Sequence, residues 1–337
     1  MYRRTFIARG TQAGLLAATF PSLAARTAEI RRYSPLPPGP DVDRFKRAQS
    51  KLLSVYGVSA RSRFVILKSS SLPAHVLDAG AGLPVLLIHG GGDYAASWAP
   101  LLAPLQQKFH TFAPDLPGCG LTYRIDYRGM PFRKAAEGFV GEMMNALQLK
   151  EAALIGHSLG GYFALAFALT YPDCVTKLVL LGEPAGSQPR SQWLKIVNDP
   201  SFRAEPHTSM QETRDVWSHF NVAHMDRVRQ ELLDADNAAS NLQGYASSWN
   251  STWDEINAEK HFELTYGLKP ELPGLRPSAL FVWGDKDFFV PPSACQEMAK
   301  LAPRASCHVL ENTGHEVWID EPDGCAELVI SFLLDKS

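Results

Sequence analysis

Ser158 stands in "GHSLGG", residues 156–161, directly after the apolar run "AALI" and before the apolar stretch "YFALAFAL". A serine that only filled space would need no glycines around it. Gly-x-Ser-x-Gly on a sharp strand-to-helix turn is the arrangement that holds a nucleophile in strained backbone geometry with its hydroxyl presented to a crevice. Gly156 and Gly160 permit the bend, because a Cβ at either place would run into neighbouring chain. The serine would then sit over a helix N-terminus, whose free N–H groups favour developing negative charge.

A serine hydroxyl at neutral pH needs a base to take its proton. Among ten histidines, His315 in "NTGHEVW" is best placed. It follows the β-rich run "SCHVLEN" at the strand end where open α/β sheets bind their ligands. His157 is excluded as the base, since its side chain is expected to point away from the serine's partner. His75 and His308 lie inside strands. His219 and His224 are five residues apart, off a common helical face, which argues against a metal site there. The base in turn needs an acid to fix its tautomer. "VWGDKDFFVPP" offers Asp285 and Asp287, of which Asp287 has the room to aim inward, while Asp285 is expected to face solvent or cap the turn. Glu183, after "KLVLLG", is the reserve. Backbone donors must await the oxyanion. Gly91, in the glycine-rich turn of "LIHGGGD", and Leu159, just after the nucleophile, are assigned to that role, with Gly92 competing with Gly91.

These residues need a frame to position them. Eight short β-rich runs can be read in order: "RFVILKS", "PAHVLDAG", "PVLLIHG", "HTFAPDL", "AALIG", "KLVLLG", "SALFVWG" and "SCHVLEN". Several are continuously apolar, as strands covered on both faces are. Helical stretches fall near 97–107, 132–147, 159–171, 292–302 and 323–335, so strand and helix alternate as in a mostly parallel sheet with helices on both faces. Residues 41–56 read as an earlier helix, capped by Asp41 or Asp43. Residues 184–273 interrupt the rhythm after the sixth strand. They are polar, mostly helical in pattern and hold Trp193, Trp217, Trp249 and Trp253, four of the seven tryptophans. Ninety residues are too many for a plain loop, so they read as an inserted helical cap. Its tryptophans serve as pocket wall or as the cap's own small core. The division is therefore an N-terminal segment 1–28, a linker and helix 29–61, a core in two parts, 62–183 and 274–337, and the cap 184–273 between them.

Residues 1–28 carry Arg3, Arg4, Arg9 and Arg26 and no acid. A basic start, a modest apolar stretch and a small-residue end form the layout of an export signal. The Arg3–Arg4 pair before Phe6 and Ile7 resembles the twin-arginine type that addresses folded proteins for export, with cleavage expected between Ala24 and Ala28. That predicts a periplasmic or secreted protein. A net charge of −2 over 337 residues, with no basic stripe beyond the N-terminus, excludes nucleic acid as a natural partner. No apolar run is long enough for an ordinary membrane span. Cys119, Cys174, Cys295, Cys307 and Cys325 are scattered without a CxxC, and are expected to be mostly reduced and buried.

Taken together, "HGGG" (89–92), "DLPGCG" (115–120), "GHSLGG", "GDKD" (284–287) and the Gly314–His315 pair resemble the α/β-hydrolase family in order and spacing, across about residues 62–337. That resemblance implies an α/β fold with a mostly parallel eight-stranded sheet and a helical cap inserted after the sixth strand. It also implies a Ser158–His315–Asp287 triad. An aspartate at the elbow would mark dehalogenases and epoxide hydrolases, and Ser158 sets them aside; Leu159 stands where proline-specific peptidases typically have tryptophan. "HGGG" is shared by carboxylesterases and by enzymes that cleave C–C bonds in ring-fission products. The latter often have asparagine before the serine, where this chain has His157. The expected activity is hydrolysis of a small-molecule ester or related acyl substrate through an acyl-enzyme. C–C hydrolysis of a diketone-like acid is the alternative, and a non-catalytic ligand receptor a third reading. No metal or organic cofactor is implied.

Overall fold

A computed structural model describes residues 32–183, 206–258 and 267–335. The export signal expected in residues 1–28, and Trp193 of the cap, lie outside the described residues. Eight strands make the main sheet: β1 (Ala60–Ile66), β2 (Pro73–Gly80), β3 (Pro84–Ile88), β4 (His110–Pro114), β5 (Ala152–His157), β6 (Val175–Leu181), β7 (Ser278–Gly284) and β8 (Ala305–Leu310). Their spatial order is β8-β7-β6-β5-β3-β4-β2-β1, with β2 antiparallel to both neighbours and every other pairing parallel.

Alternation along the strands shows why the runs are continuously apolar. Leu86, Ile88, Leu154, Leu178, Leu180, Phe281 and Trp283 face one core. Val85, Leu87, Ile155, Val179, Leu181, Leu280 and Val282 face the other. A strand with only one face covered would have left the second set polar. The first core is closed by α3 (Phe132–Ala146), α4 (Ser158–Thr170) and α8 (Ser293–Leu301). The second is closed by α1 (Pro40–Val55), α2 (Ala99–Leu105) and α9 (Pro322–Leu334). Each fully buried Leu, Ile or Val in these layers contributes roughly 1.5–3 kcal/mol of transfer free energy.

Between β6 and β7, where described, lie α5 (Met210–Val216), a π-helical turn (Trp217–Asn221), α6 (Gln230–Ser240) and α7 (Tyr245–Ala258). Helix α5 opens with a capping box in which Ser209 and Glu212 bond reciprocally. Helix α6 lays Leu232, Leu233, Ala235 and Ala239 into the second core, beside α1. Helix α7 approaches the opposite side: Ser248 Oγ and Ser251 Oγ accept from the amides of Ile125 and Tyr127 at 3.1 Å.

One expectation needs correction. Helix α1 is not capped by Asp41 or Asp43. Gly39 is its N-cap and Pro40 opens it, leaving both aspartates in the first turn, where they complement the helix dipole. The cysteines are mostly reduced, as expected, but two of them are paired. Cys295 on α8 and Cys307 on β8 form a disulfide, while Cys119, Cys174 and Cys325 are free. Their Cα atoms are 5.9 Å apart because α8 packs directly on β8, a closeness that spacing along the chain does not reveal. Among the described residues no helix is long and apolar enough to cross a membrane.

Candidate active site

Three loops at the C-terminal ends of β3, β5 and β8 meet over the middle of the sheet. The β5–α4 turn carries Ser158, the first residue of α4, with φ of +47°. This left-handed conformation is costly for a residue with a Cβ and is held by close packing around it. A Cβ on Gly160 would stand 2.2 Å from the carbonyl oxygen of His89, and one on Gly156 would stand 2.6 Å from the Gly161 Cα. Both obstacles are backbone, so neither can step aside.

His315 is buried and its Nδ1 lies 2.8 Å from Asp287 Oδ2. The other carboxylate oxygen, Oδ1, accepts the amides of Phe289 at 2.8 Å and Val290 at 3.1 Å. The acid is thereby fixed at both ends. Gly182, at φ +59°, runs beneath the pair: a Cβ there would stand 3.0 Å from His315 Nδ1 and 3.3 Å from Asp287 Oδ2. Asp285 instead accepts the Thr313 amide at 3.1 Å and shapes the histidine loop. Glu183, the reserve acid, packs its Cβ over Gly161. The serine half of the constellation is open. Ser158 Oγ makes no hydrogen bond to a described residue, a common state of unliganded sites.

The β3 loop reaches the same place. A Cβ on Gly90 would lie 3.5 Å from that of Ser158, and one on Gly91 would lie 3.2 Å from Leu159 Cδ2, so the two assigned oxyanion positions are neighbours. His89 anchors this loop. Its Nε2 accepts the Leu116 amide at 2.9 Å and its Nδ1 donates to the Gly90 carbonyl at 2.7 Å. Burial lowers its pKa, which suits a neutral ring with one donor and one acceptor. Asp115, in "DLPGCG", accepts from Ala95 (2.6 Å) and Leu121 (2.7 Å) and pairs with His75 Nδ1 at 2.7 Å. Burial alone would raise its pKa, but the His75 and His89 partners and the Ala95 amide outweigh that and lower it.

Aromatic side chains wall the site. Trp249 of α7 covers the glycine loop, its Cζ3 only 2.4 Å from where a Gly91 Cβ would stand, and Tyr245 Oη donates to the Gly92 carbonyl at 3.0 Å. Phe289 lies 4.5 Å from the His315 ring and stacks with Phe220, and Phe288 and His219 extend the wall. Of the described tryptophans, Trp249 thus faces the site, while Trp217 and Trp253 are buried.

His157 does not point away from the base, as its place beside Ser158 had suggested. Its ring packs 4.5 Å from that of His315 and 4.7 Å from Trp318. It makes no proton relay, for neither ring nitrogen has a hydrogen-bond partner. Burial, and then the nearby His315, lower its pKa well below the usual value; the His315 main chain opposes this without reaching hydrogen-bond geometry. Beside it are two buried acids that sequence reasoning missed, Asp93 and Glu316. Burial pushes the Asp93 carboxyl up to about 8 and raises Glu316 well above the carboxylate range.

A mostly parallel sheet of this order, with a Gly-x-Ser-x-Gly turn after β5 and a His–Asp pair beyond β7 and β8, is the arrangement of one large class of hydrolase folds. The sequence profile of the alpha/beta hydrolase fold matches residues 84–322, and the chain belongs to that family. Among curated relatives it is similar to the 2-hydroxy-6-oxo-6-phenylhexa-2,4-dienoate hydrolase of Burkholderia cepacia, 28% identical over 82% of this chain and 97% of the relative. It is also similar to the solved meta-cleavage product hydrolase from Pseudomonas fluorescens IP01, with 25% identity and a TM-score of 0.68 over 80% of this chain and 97% of that one. A bacterial membrane phospholipase A aligns with a TM-score of 0.71 at 22% identity over 87% of this chain and 91% of that one, a likeness of fold alone.

Proposed function

We propose that the chain is a serine hydrolase in which Ser158 attacks a carbonyl, His315 takes its proton and Asp287 orients His315. Gly91 and Leu159 donate their amides to the oxyanion. The preferred substrate class is a planar, conjugated 6-oxo acid of the ring-fission type. Similarity to dienoate hydrolases over four-fifths of the chain supports that choice over an ester, and the Phe220–Phe288–Phe289–Trp249 wall suits a flat apolar body.

Hydrolysing a ketone requires breaking a C–C bond beside the carbonyl. The 2-hydroxydienoate first ketonises, moving its enol proton to C5. Ser158 Oγ then bonds to C6 as its proton passes to His315. Collapse of the oxyanion breaks C5–C6, and the electron pair enters the enolate conjugated with the C2 ketone, which His315 reprotonates. Water, deprotonated by His315, releases the acid from Oγ.

The ester reading keeps one specific support: His157 precedes the serine where ring-fission enzymes often have asparagine. Comparing kcat/KM for 2-hydroxy-6-oxo-6-phenylhexa-2,4-dienoate with that for p-nitrophenyl butyrate separates the two, with Ser158→Ala as the blank. At least a tenfold preference for the dienoate is expected; turnover of the ester alone overturns the C–C reading. Failure of a fluorophosphonate to label Ser158 would overturn both. We further assign residues 184–273 as the cap and residues 1–28 as a twin-arginine export signal. Exported protein should begin near residues 25–29 by N-terminal sequencing, and a product retaining Met1 would refute the signal.

A further inference from the structure

We infer that Asp93, His157 and Glu316 form a binding site for one divalent transition-metal ion, of the zinc type, that braces the three loops of the active site from behind. Their donor atoms all lie within 4.8 Å of one another, and all three residues are buried. His157 Nδ1 and Glu316 Oε1 are 3.9 Å apart. Tetrahedral zinc with ligands at about 2.0–2.2 Å needs donors roughly 3.3–3.6 Å apart, so side-chain adjustments of about 1 Å would close the set.

The unmet polar atoms are the independent sign of a missing ligand. Both ring nitrogens of His157 and Oε2 of Glu316 have no hydrogen-bond partner, although buried side chains of these types are nearly always satisfied. His157 is 2% exposed and Glu316 3%. Trp98 and Trp318 pack edge-on to the imidazole. Asp93 is already oriented: Oδ1 accepts the Tyr94 amide at 2.8 Å and Oδ2 the Ser97 hydroxyl at 2.7 Å. Each of these oxygens keeps a second lone pair for a cation. Glu316 is fixed through its main chain, whose amide donates to Asn221 at 2.8 Å.

The donor set specifies the kind of ion. Two carboxylates balance a dication, and the imidazole favours zinc and its neighbours over magnesium or calcium, which take oxygen. Water would complete the coordination. The location gives the purpose. Asp93 follows the glycine turn of Gly91, His157 precedes Ser158, and Glu316 follows His315. An ion held by all three would tie the oxyanion loop, the elbow and the base loop into one rigid unit. It takes no part in bond breaking.

The test is zinc binding by the purified full chain after stripping with a chelator, read by calorimetry and elemental analysis. About one zinc per chain is expected, with a higher Tm, and X-ray absorption should show one imidazole with oxygen ligands. Glu316→Gln and Asp93→Asn keep shape and remove one anionic ligand each; both are expected to weaken binding by about 100-fold or more. His315→Gln should bind as wild type does. Failure of the wild type to take up zinc overturns the site. So does equal binding by both amide variants, loss of binding in His315→Gln, or a spectrum with no imidazole or with two. Should either amide variant not fold, the wild-type spectrum together with His315→Gln still decides.

Discussion

Replacing Asp287 by asparagine should reduce the reactivity of Ser158 by about 10⁴-fold while leaving the fold intact. The direction follows from which end of the side chain the protein holds. Oδ1 of Asp287 accepts two amides, from Phe289 and Val290. Neither donor can bond to an NH2 group, so the asparagine carbonyl must take that end. Its NH2 is then turned toward His315 Nδ1, 2.8 Å away in the native pair. A donor facing Nδ1 forces the ring proton onto Nε2, the atom that must be free to accept from Ser158. The wrong tautomer and the loss of support for the imidazolium together cost triads of this kind about 10⁴ in rate. At 1.36 kcal/mol per decade that is about 5.4 kcal/mol of barrier. The suitable assay is the second-order rate of fluorophosphonate labelling, since it requires no knowledge of the substrate, alongside turnover of whichever substrate proves best. Tm should change little, because shape and both backbone bonds are kept. A variant within tenfold of wild type would show that Asp287 does not set the tautomer of the base, and the proposed triad would fall with it.

Three further outcomes are expected. Gly182→Ala places a Cβ 3.0 Å from His315 in a residue at φ +59°; labelling should slow by about 10-fold, since a displacement of 1 Å can cost about 10², and equal rates would refute the close fit. Reducing the Cys295–Cys307 bridge, with a sequence separation of 12, should lower stability by about 2–3 kcal/mol on loop entropy, measured by urea denaturation with and without reductant. Asp78 is buried on β2 and bonds Arg61, Arg63 and His110. Burial pushes its pKa up, but the His110 and Arg63 hydrogen bonds and the Arg61 charge pull it net downward. A depressed carboxylate pKa stabilises the fold above the unfolded value of about 3.9 and loses that contribution as pH falls through the folded value. Asp78→Asn should therefore flatten the acid limb of the stability profile, and an unchanged limb would refute the assignment.

Much of this arrangement was legible because it is local. Apolar runs of five to seven residues betrayed the covered strands, and the glycines of "GHSLGG" announced a turn crowded by backbone. Asp287 could be preferred to Asp285 from its distance beyond β7. What stayed hidden has partners remote in sequence. Cys295 and Cys307 meet only because a helix lies on an edge strand. Gly39 rather than an aspartate caps α1 because Pro40 follows it. His157 turns onto His315 because Trp98 and Trp318 form its wall, and nothing in "GHS" reports those rings. Asp93 and Glu316 looked like ordinary loop acids, yet the three loops fold them inward behind the base.

One device recurs at the loops around the site other than the elbow of Ser158. A buried or partly buried carboxylate collects main-chain amides: Asp115 takes Ala95 and Leu121, Asp285 takes Thr313, and Asp287 takes Phe289 and Val290. Asp320 takes Gly314 from the base loop together with Ala223 and His224 from the segment between β6 and β7. Ionised acceptors make shorter and stronger bonds than neutral ones, so each loop is fixed at two or three backbone points without needing a hydrophobic core of its own. Loops held in this way can present a serine, an imidazole and two amides with small positional error, which acyl chemistry requires. The wall residues Phe220, Phe288 and Trp249 belong to none of these clamps. Substrate preference can therefore change through the wall while Ser158, His315 and Asp287 keep their places.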